Sequence, residues 1–220
     1  MKTLIVYATY LELKPLIDRS QKINCIDDKL STYKLHGQEF DLLCTGVGMV
    51  ATSFHMGRVL ASNLYDKVIN AGIAGSFQKS IPLGTVVEII EDQFPEMGAD
   101  DGEHFLSLID LALIKADDFP FQSGVLSNEQ NSWNLPYPKV KSITVNTVHG
   151  CTERISRTED RFHPQIESME GAAFFYACKT AKVPCVQIRS ISNYVERRNK
   201  TSWNIPLAVH NLNIEILKLL

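Results

Sequence analysis

The stretch Ser168-Met169-Glu170-Gly171-Ala172-Ala173 sets a carboxylate among small and apolar neighbours, at the head of a run from Glu170 to Lys182 that reads as a helix. A glutamate in a first helical turn is most often no more than a charge favoured by the helix dipole. Its company argues for more. Downstream, Cys185-Val186-Gln187-Ile188-Arg189-Ser190-Ile191 reads as a buried strand running straight into Ser192-Asn193. Polar side chains at the end of such a strand mark the edge where open α/β sheets bind ligands. Three further segments end in the same way. Glu12 falls just past a first strand, Asn70-Ala71-Gly72-Ile73-Ala74-Gly75 closes another, and Val148-His149-Gly150 ends a third. Gly72 and Gly75 let the backbone approach a ligand, and they serve equally well for close packing of a helix on a strand. A lone histidine is more often structural than chemical; His149 is favoured over His163 by its place at a strand exit.

The elements that must position these residues alternate. Leu4 to Ala8 is a continuous apolar run, the mark of a strand buried on both faces. Leu11 to Ile17 opens a helix, with Pro15 tolerable in its first turn. Leu30–Leu35 and Glu39–Cys44 read as an antiparallel pair turning at His36-Gly37-Gln38. Thr45-Gly46-Val47-Gly48 leads into an amphipathic helix from Met49 to Leu64. This strand, Gly-x-Gly and helix suggest dinucleotide binding, but position 51 is Ala, the loop does not follow the first strand, and no acidic partner stands at the required spacing. Strands are expected at Lys67–Ser76, Thr85–Glu91, Gly124–Leu126 and Lys141–Val148, and a terminal helix from Ile205 to Leu220. Cys151 to Arg161 is a charged helix or loop. Residues 92 to 122 form an excursion from the sheet, of the kind that supplies lids or interfaces.

The 220 residues suffice for a substantial core, and no repeat, low-complexity tract or linker divides them, so residues 1–220 are read as a single domain. With 45% hydrophobic and 21% charged residues and a formal net charge of -3, the chain has an ordinary globular composition and no basic field for nucleic acid or an anionic membrane. The Arg197-Arg198-Asn199-Lys200 cluster reads as a solvated loop. Five scattered cysteines without zinc spacing imply neither a disulfide framework nor a metal, and the first residues make too short an apolar run for a signal peptide. No window reaches the length of a membrane span. The expectation is a reduced, cytoplasmic enzyme-like domain.

Taken together, Glu12, Gly46-Val47-Gly48, Asn70 to Gly75, Ser168-Met169-Glu170-Gly171-Ala172 and Arg189-Ser190-Ile191-Ser192-Asn193 resemble, end to end, the nucleoside phosphorylase and nucleosidase superfamily. The resemblance implies a phosphorylase/hydrolase-like α/β fold, a three-layer α/β/α arrangement with a mixed central sheet flanked by helices. Within it the pattern is similar to methylthioadenosine/S-adenosylhomocysteine nucleosidases, and departs from them toward futalosine hydrolases of the menaquinone pathway at Asn193, where the adenine-specific enzymes carry Asp. Hypoxanthine presents an oxygen acceptor at its 6-position. An Asn amide can donate to it and accept from a protonated N7, whereas an ionised Asp only accepts. A 6-oxopurine phosphorylase is the other reading of Asn193, but the phosphate-gripping Arg and Ser of those enzymes are absent from Asn70-Ala71-Gly72-Ile73.

The resemblance assigns roles. Glu12 would be the general base for water and Asn193 would hold the base. Glu170 would accept from the ribose 2'- and 3'-hydroxyls, with Met169 and Val47 against the sugar and Ile73 near the place of phosphate. Gly75 would contribute to substrate binding, and Val148 and His149 would wall the base. Arg189 and Ser192 would brace that loop. The implied partner is a small-molecule nucleoside, with no metal, no cofactor, no nucleic acid and no membrane, in a homo-oligomer, a dimer first, using 92 to 122 as an interface.

Overall fold

The computed structural model describes residues 2–102, 104–128 and 133–220. Its central strands are β1 (Thr3–Tyr7), β4 (Gln38–Cys44), β5 (Lys67–Ser76) and β12 (Cys185–Tyr194), adjacent in the order β4-β1-β5-β12 and all parallel. Parallel strands covered on both faces bury alternate residues on opposite sides. In β1, Leu4 and Val6 join one core cluster while Ile5 and Tyr7 join the other. The first cluster lies under α2 (Met49–Ser62) and α4 (Gly171–Thr180), which contribute Met56, Val59, Phe174 and Phe175. The second lies under α1 (Tyr10–Arg19) and α5 (Ile205–Leu219), through Leu13, Leu16, Leu212 and Ile216. The three layers follow from this alternation.

Beyond β4 the sheet continues through β3 (Leu30–Leu35) to β2 (Gln21–Cys25), both antiparallel to their neighbours. The β3–β4 hairpin turns at His36 and Gly37, both at positive φ (49° and 86°), as a two-residue connection requires. On the other side, β12 pairs antiparallel with β6 (Val86–Gln93). β6 pairs parallel with β10 (Lys139–Thr144) and antiparallel with β9 (Leu126–Ser127). β10 pairs parallel with β11 (Ile166–Ser168), which reaches back antiparallel to β5. Strands β5, β12, β6, β10 and β11 thereby close into a ring, so the mixed sheet is open at the β2 edge and curled at the other. The excursion bears its own hairpin, β7 (Gly98–Asp101) with β8 (His104–Ser107), outside the main sheet.

Several boundaries differ from the sequence expectation. Pro15 lies inside α1, beyond its first turn. The carbonyl it leaves without an N–H partner is that of Leu11, which is exposed to solvent. One residue on, the buried Asn213 amide of α5 enters the helix: its oxygen accepts from Leu16 N at 3.0 Å and its Nδ2 donates to the Glu12 carbonyl at 2.8 Å. The expected strand at Gly124–Leu126 begins at Leu126, and the one at Lys141–Val148 ends at Thr144, leaving Val148 and His149 in the following loop. The charged segment is α3 (Thr152–Phe162), closed by His163 in the left-handed region, which makes that histidine a terminator. The helix read from Glu170 starts one residue later and stops at Thr180, with Lys182 at φ 55°.

Gly171 opens α4 where no side chain fits. A Cβ there would stand 2.1 Å from Gln187 Oε1 and 2.3 Å from Asp92 Oδ2, both in the core. Gly171→Ala is expected to destabilise the protein by roughly 2–3 kcal/mol through overpacking, read as a lower urea midpoint with an unchanged m-value.

Candidate active site

Because β1, β4, β5 and β12 are parallel, their carboxyl ends share one edge, and the connections leaving them meet there. Each delivers one part of a single cavity of about 260 Å³. From β1 and the head of α1 comes Glu12, from the β4–α2 turn Val47, and from β5 Ile73 and Gly75. β12 brings Asn193, the β11–α4 turn brings Met169 and Glu170, and the loop after β10 brings Val148 and His149. Every residue expected at the site therefore lines the same cavity.

Glu12 is 7% exposed and held by three donors. Thr9 N and Thr9 Oγ1 donate to its Oε2 at 2.8 and 3.1 Å, and Ile73 N donates to Oε1 at 3.2 Å. The spacing Thr9-x-x-Glu12 is a capping-box pattern, so helix capping and site geometry use the same carboxylate. Gly72 is needed beneath it, since a Cβ there would meet Glu12 Oε1 at 2.8 Å and Arg189 Nη1 at 3.4 Å.

Glu170 occupies the N-cap position of α4 and accepts from Gly48 N at 2.9 Å through Oε1. Gly46 and Gly48 stand at φ 85° and 97°, a conformation that brings this N–H to the carboxylate and leaves Val47 exposed toward the cavity. Burial pushes the Glu170 carboxyl above its usual range, the Glu12 charge adds to that, and Arg189 and the Gly48 hydrogen bond oppose it.

Beneath both glutamates lies Arg189, 1% exposed. Its guanidinium donates to the Ile188 carbonyl at 3.2 Å and to Asn70 Oδ1, while Nε has no partner among the described residues. Burial lowers its pKa, and the charges of Glu170, Glu12 and Asp92 act against that. Asn70 in turn donates to the Val6 carbonyl at 3.1 Å, so the arginine is fixed to the centre of the sheet.

Asn193 sits beyond a β-bulge. Ile191 pairs with Ala74 and Asn193 with Gly75, leaving Ser192 over, and bulges re-aim the side chains that follow. Ser192 Oγ reaches Asn193 Oδ1 at 2.8 Å, and Asn193 Nδ2 donates to the Tyr194 carbonyl at 3.1 Å. Ser192 thus braces the amide, as expected.

His149 is less free than the sequence suggests. Nδ1 meets Glu167 Oε2 at 2.5 Å, Nε2 meets Thr158 Oγ1 at 2.9 Å, and its backbone N donates to Glu167 Oε1 at 3.0 Å. Phe77 packs edge-on against the ring at 5.9 Å. With both nitrogens engaged, the imidazole serves as a fixed wall. Sequence reading missed Glu167, a carboxylate inside a buried three-residue strand, which is itself a signal, since such charges require a partner. The basic cluster is exposed, as read, and Arg198 within it also lines the cavity.

The same network extends to Asp92, fully buried and not in the cavity. Ala172 N donates to Thr144 Oγ1 at 2.7 Å, which is 2.9 Å from Asp92 Oδ1, and Gln187 Nε2 donates to Oδ2 at 3.1 Å. Burial raises the Asp92 carboxyl from 3.8 to about 6 against these hydrogen bonds. A carboxyl with a raised folded pKa stabilises the fold below its unfolded value and loses that contribution as pH rises through the folded one. Between 3.8 and about 6 the protein should accordingly lose about 3 kcal/mol through this group. Asp92→Asn should therefore be more stable than the parent at about pH 8 and indistinguishable from it near pH 4, as denaturant titrations at the two values would read.

The family model described as Phosphorylase superfamily matches residues 2–219. A relative named futalosine hydrolase from Streptomyces coelicolor is 28% identical over 82% of this chain and 78% of its own. Another of that name from Acidothermus cellulolyticus is 30% identical over 80% of this chain and 73% of its own. Among solved structures, a 5'-methylthioadenosine/S-adenosylhomocysteine nucleosidase from Colwellia psychrerythraea in complex with adenine has the same fold, with a TM-score of 0.80 at 21% identity over 100% of this chain and 94% of its own.

Proposed function

The chain belongs to the phosphorylase superfamily and, within it, to the family of the futalosine hydrolases, hydrolases of N-glycosyl bonds, and from there we propose that it cleaves futalosine to hypoxanthine and dehypoxanthine futalosine, a step of menaquinone biosynthesis. One observation carries the choice of water over phosphate as nucleophile. The donors that could cradle an anion beside β5, Ile73 N with Thr9 N and its hydroxyl, are already taken by the Glu12 carboxylate. A phosphate there would face a fixed negative charge, while a water molecule would face an acceptor for its proton.

In this reading the ribosyl centre gains oxocarbenium character as the N-ribosidic bond stretches, and Glu12 and Glu170 stabilise that charge in a water-poor cavity. Glu12 takes the proton of the attacking water. Glu170 accepts from the ribose hydroxyls, which needs its ionised form. Its raised pKa is held in check by Arg189. Asn193 presents an amide to the 6-oxo group and N7, and Val148 and the fixed His149 ring close the base side. Met169, Val47, Ile73 and Gly75 shape the sugar and base contacts.

The same reading takes residues 1–220 as a single domain of a cytoplasmic homodimer. The excursion exposes Met97, Leu113 and Phe119, and α2 exposes Val50 and Phe54, apolar surface of the kind interfaces cover. No helix among the described residues is long and apolar enough to cross a membrane.

Purified protein in phosphate-free buffer is expected to release hypoxanthine from futalosine, and Glu12→Gln to lose about a hundredfold to ten-thousandfold of that rate. Turnover that needs added phosphate, or that occurs on methylthioadenosine alone, would sink the reading. Asn193→Asp should reverse the base preference, losing hypoxanthine release while gaining adenine release from adenine nucleosides, because an ionised carboxylate repels O6 and accepts from the 6-amino group. An unchanged preference, measured by chromatography of the freed base, would remove Asn193 from base recognition.

A further inference from the structure

We propose that the loop between β12 and α5 builds a subsite for an anionic aromatic 5' substituent, with Arg198 taking its carboxylate and Trp203 and neighbouring apolar side chains receiving its ring. The proposal rests on the nucleoside reading above and adds the part of the substrate that Glu12, Glu170 and Asn193 do not touch. Futalosine carries a benzoate-bearing group at that position.

The cavity lining holds four carboxylates, Glu12, Glu167, Glu170 and Glu196, and one cation, Arg198. An anionic ligand entering such a space needs compensation, and the carboxylates are all engaged elsewhere. Glu12 and Glu170 have backbone donors and Arg189, and Glu167 has His149. Glu196 accepts from Ser202 Oγ at 3.3 Å and lies 3.8 Å from Lys79 Nζ. Arg198 forms no ion pair or hydrogen bond with any described residue. Its guanidinium stands 5.4 Å from the centre of the Trp203 ring, a contact that orients the planar donor fork while leaving its N–H groups free.

The loop is fixed where it matters. Asn204 N donates to the Ser192 carbonyl at 2.8 Å, tying the residue after Trp203 to the one before Asn193. Asn199 caps the short 3-10 turn Lys200–Ser202 through Thr201 N at 3.2 Å, and Asn204 caps α5 through Leu207 N at 3.2 Å. At the other end, Arg198 packs beside Gly150 in the loop after β10, where a Cβ on Gly150 would make an ordinary contact with Arg198 Cβ at 3.6 Å. The same cavity wall includes apolar Leu11, and Ile205 and Val209 from the first turns of α5. An arene edged by a guanidinium suits a ring bearing a carboxylate and offers nothing specific to a bare 5'-hydroxyl.

Inosine and futalosine share the base and the ribose and differ at the 5' group, so they separate this subsite from the base contacts. Calorimetric titration of both nucleosides into Glu12→Gln protein, with and without Arg198→Ala, reads the difference free of turnover. The expected result is tighter binding of futalosine than inosine in the parent, and a loss of about tenfold to a hundredfold for futalosine alone on removing Arg198. Equal losses for both nucleosides would place Arg198 at the base and overturn the proposal, as would no loss for either or no preference in the parent. Wild-type protein that hydrolyses neither nucleoside would instead overturn the function proposed above, while the two titrations would still decide the subsite.

Discussion

A single buried guanidinium holds the active edge together. Arg189 supplies the positive charge that lets Glu12, Glu170 and Asp92 share a low-dielectric interior, and an arginine is suited to this because burial cannot deprotonate it. Without it, the carboxylates would repel one another with no cation between them. The rest of the edge follows from its placement. Asn70 fixes it to the centre of β5, Gly72 leaves room for it beside Glu12, and the Gly48 N–H gives Glu170 a second partner. Burial raises the pKa of both Glu170 and Asp92, and the charge of Arg189 acts against the rise in each.

Much of this was legible before the fold was known, for a physical reason. Strands buried on both faces must be apolar throughout, so β1, β5 and β12 announce themselves, and any polar residue at their ends stands out. Glu12, Asn193 and the glycines of β5 were found in that way. What stayed hidden depends on contacts remote in sequence or on elements with no burial pattern. All of β2 is exposed, so nothing in its composition betrays a strand. The His149–Glu167 pairing joins a loop to the ring-closing strand β11, a closure no local pattern encodes. His149 itself was placed at a strand end because the apolar run through Val145 outlasts the pairing that stops at Thr144. Arg198 was set aside because solvent exposure and a basic run look alike in sequence whether or not a cavity lies beneath.

The carboxylate of Glu12 illustrates how one group can answer to two constraints. As the third residue of α1 it satisfies the Thr9 N–H, an orphan donor at a helix start. Held there, and by Ile73 N on its other oxygen, it loses the rotamer freedom that a free glutamate would have to give up on binding substrate. Structural capping and preorganisation are the same interaction seen from two sides.

The Asn213 amide seated at the Pro15 break in α1 carries a temporal implication. It joins the carbonyl of Glu12 to the final helix, a separation of 201 residues along the chain. A ribosome delivers Glu12 well before Asn213, so the head of α1 acquires this support only once α5 has docked. The positioning of Glu12 is then completed by a contact between the two ends of the fold. Before that contact forms, Glu12 is held by Thr9 and Ile73 N alone.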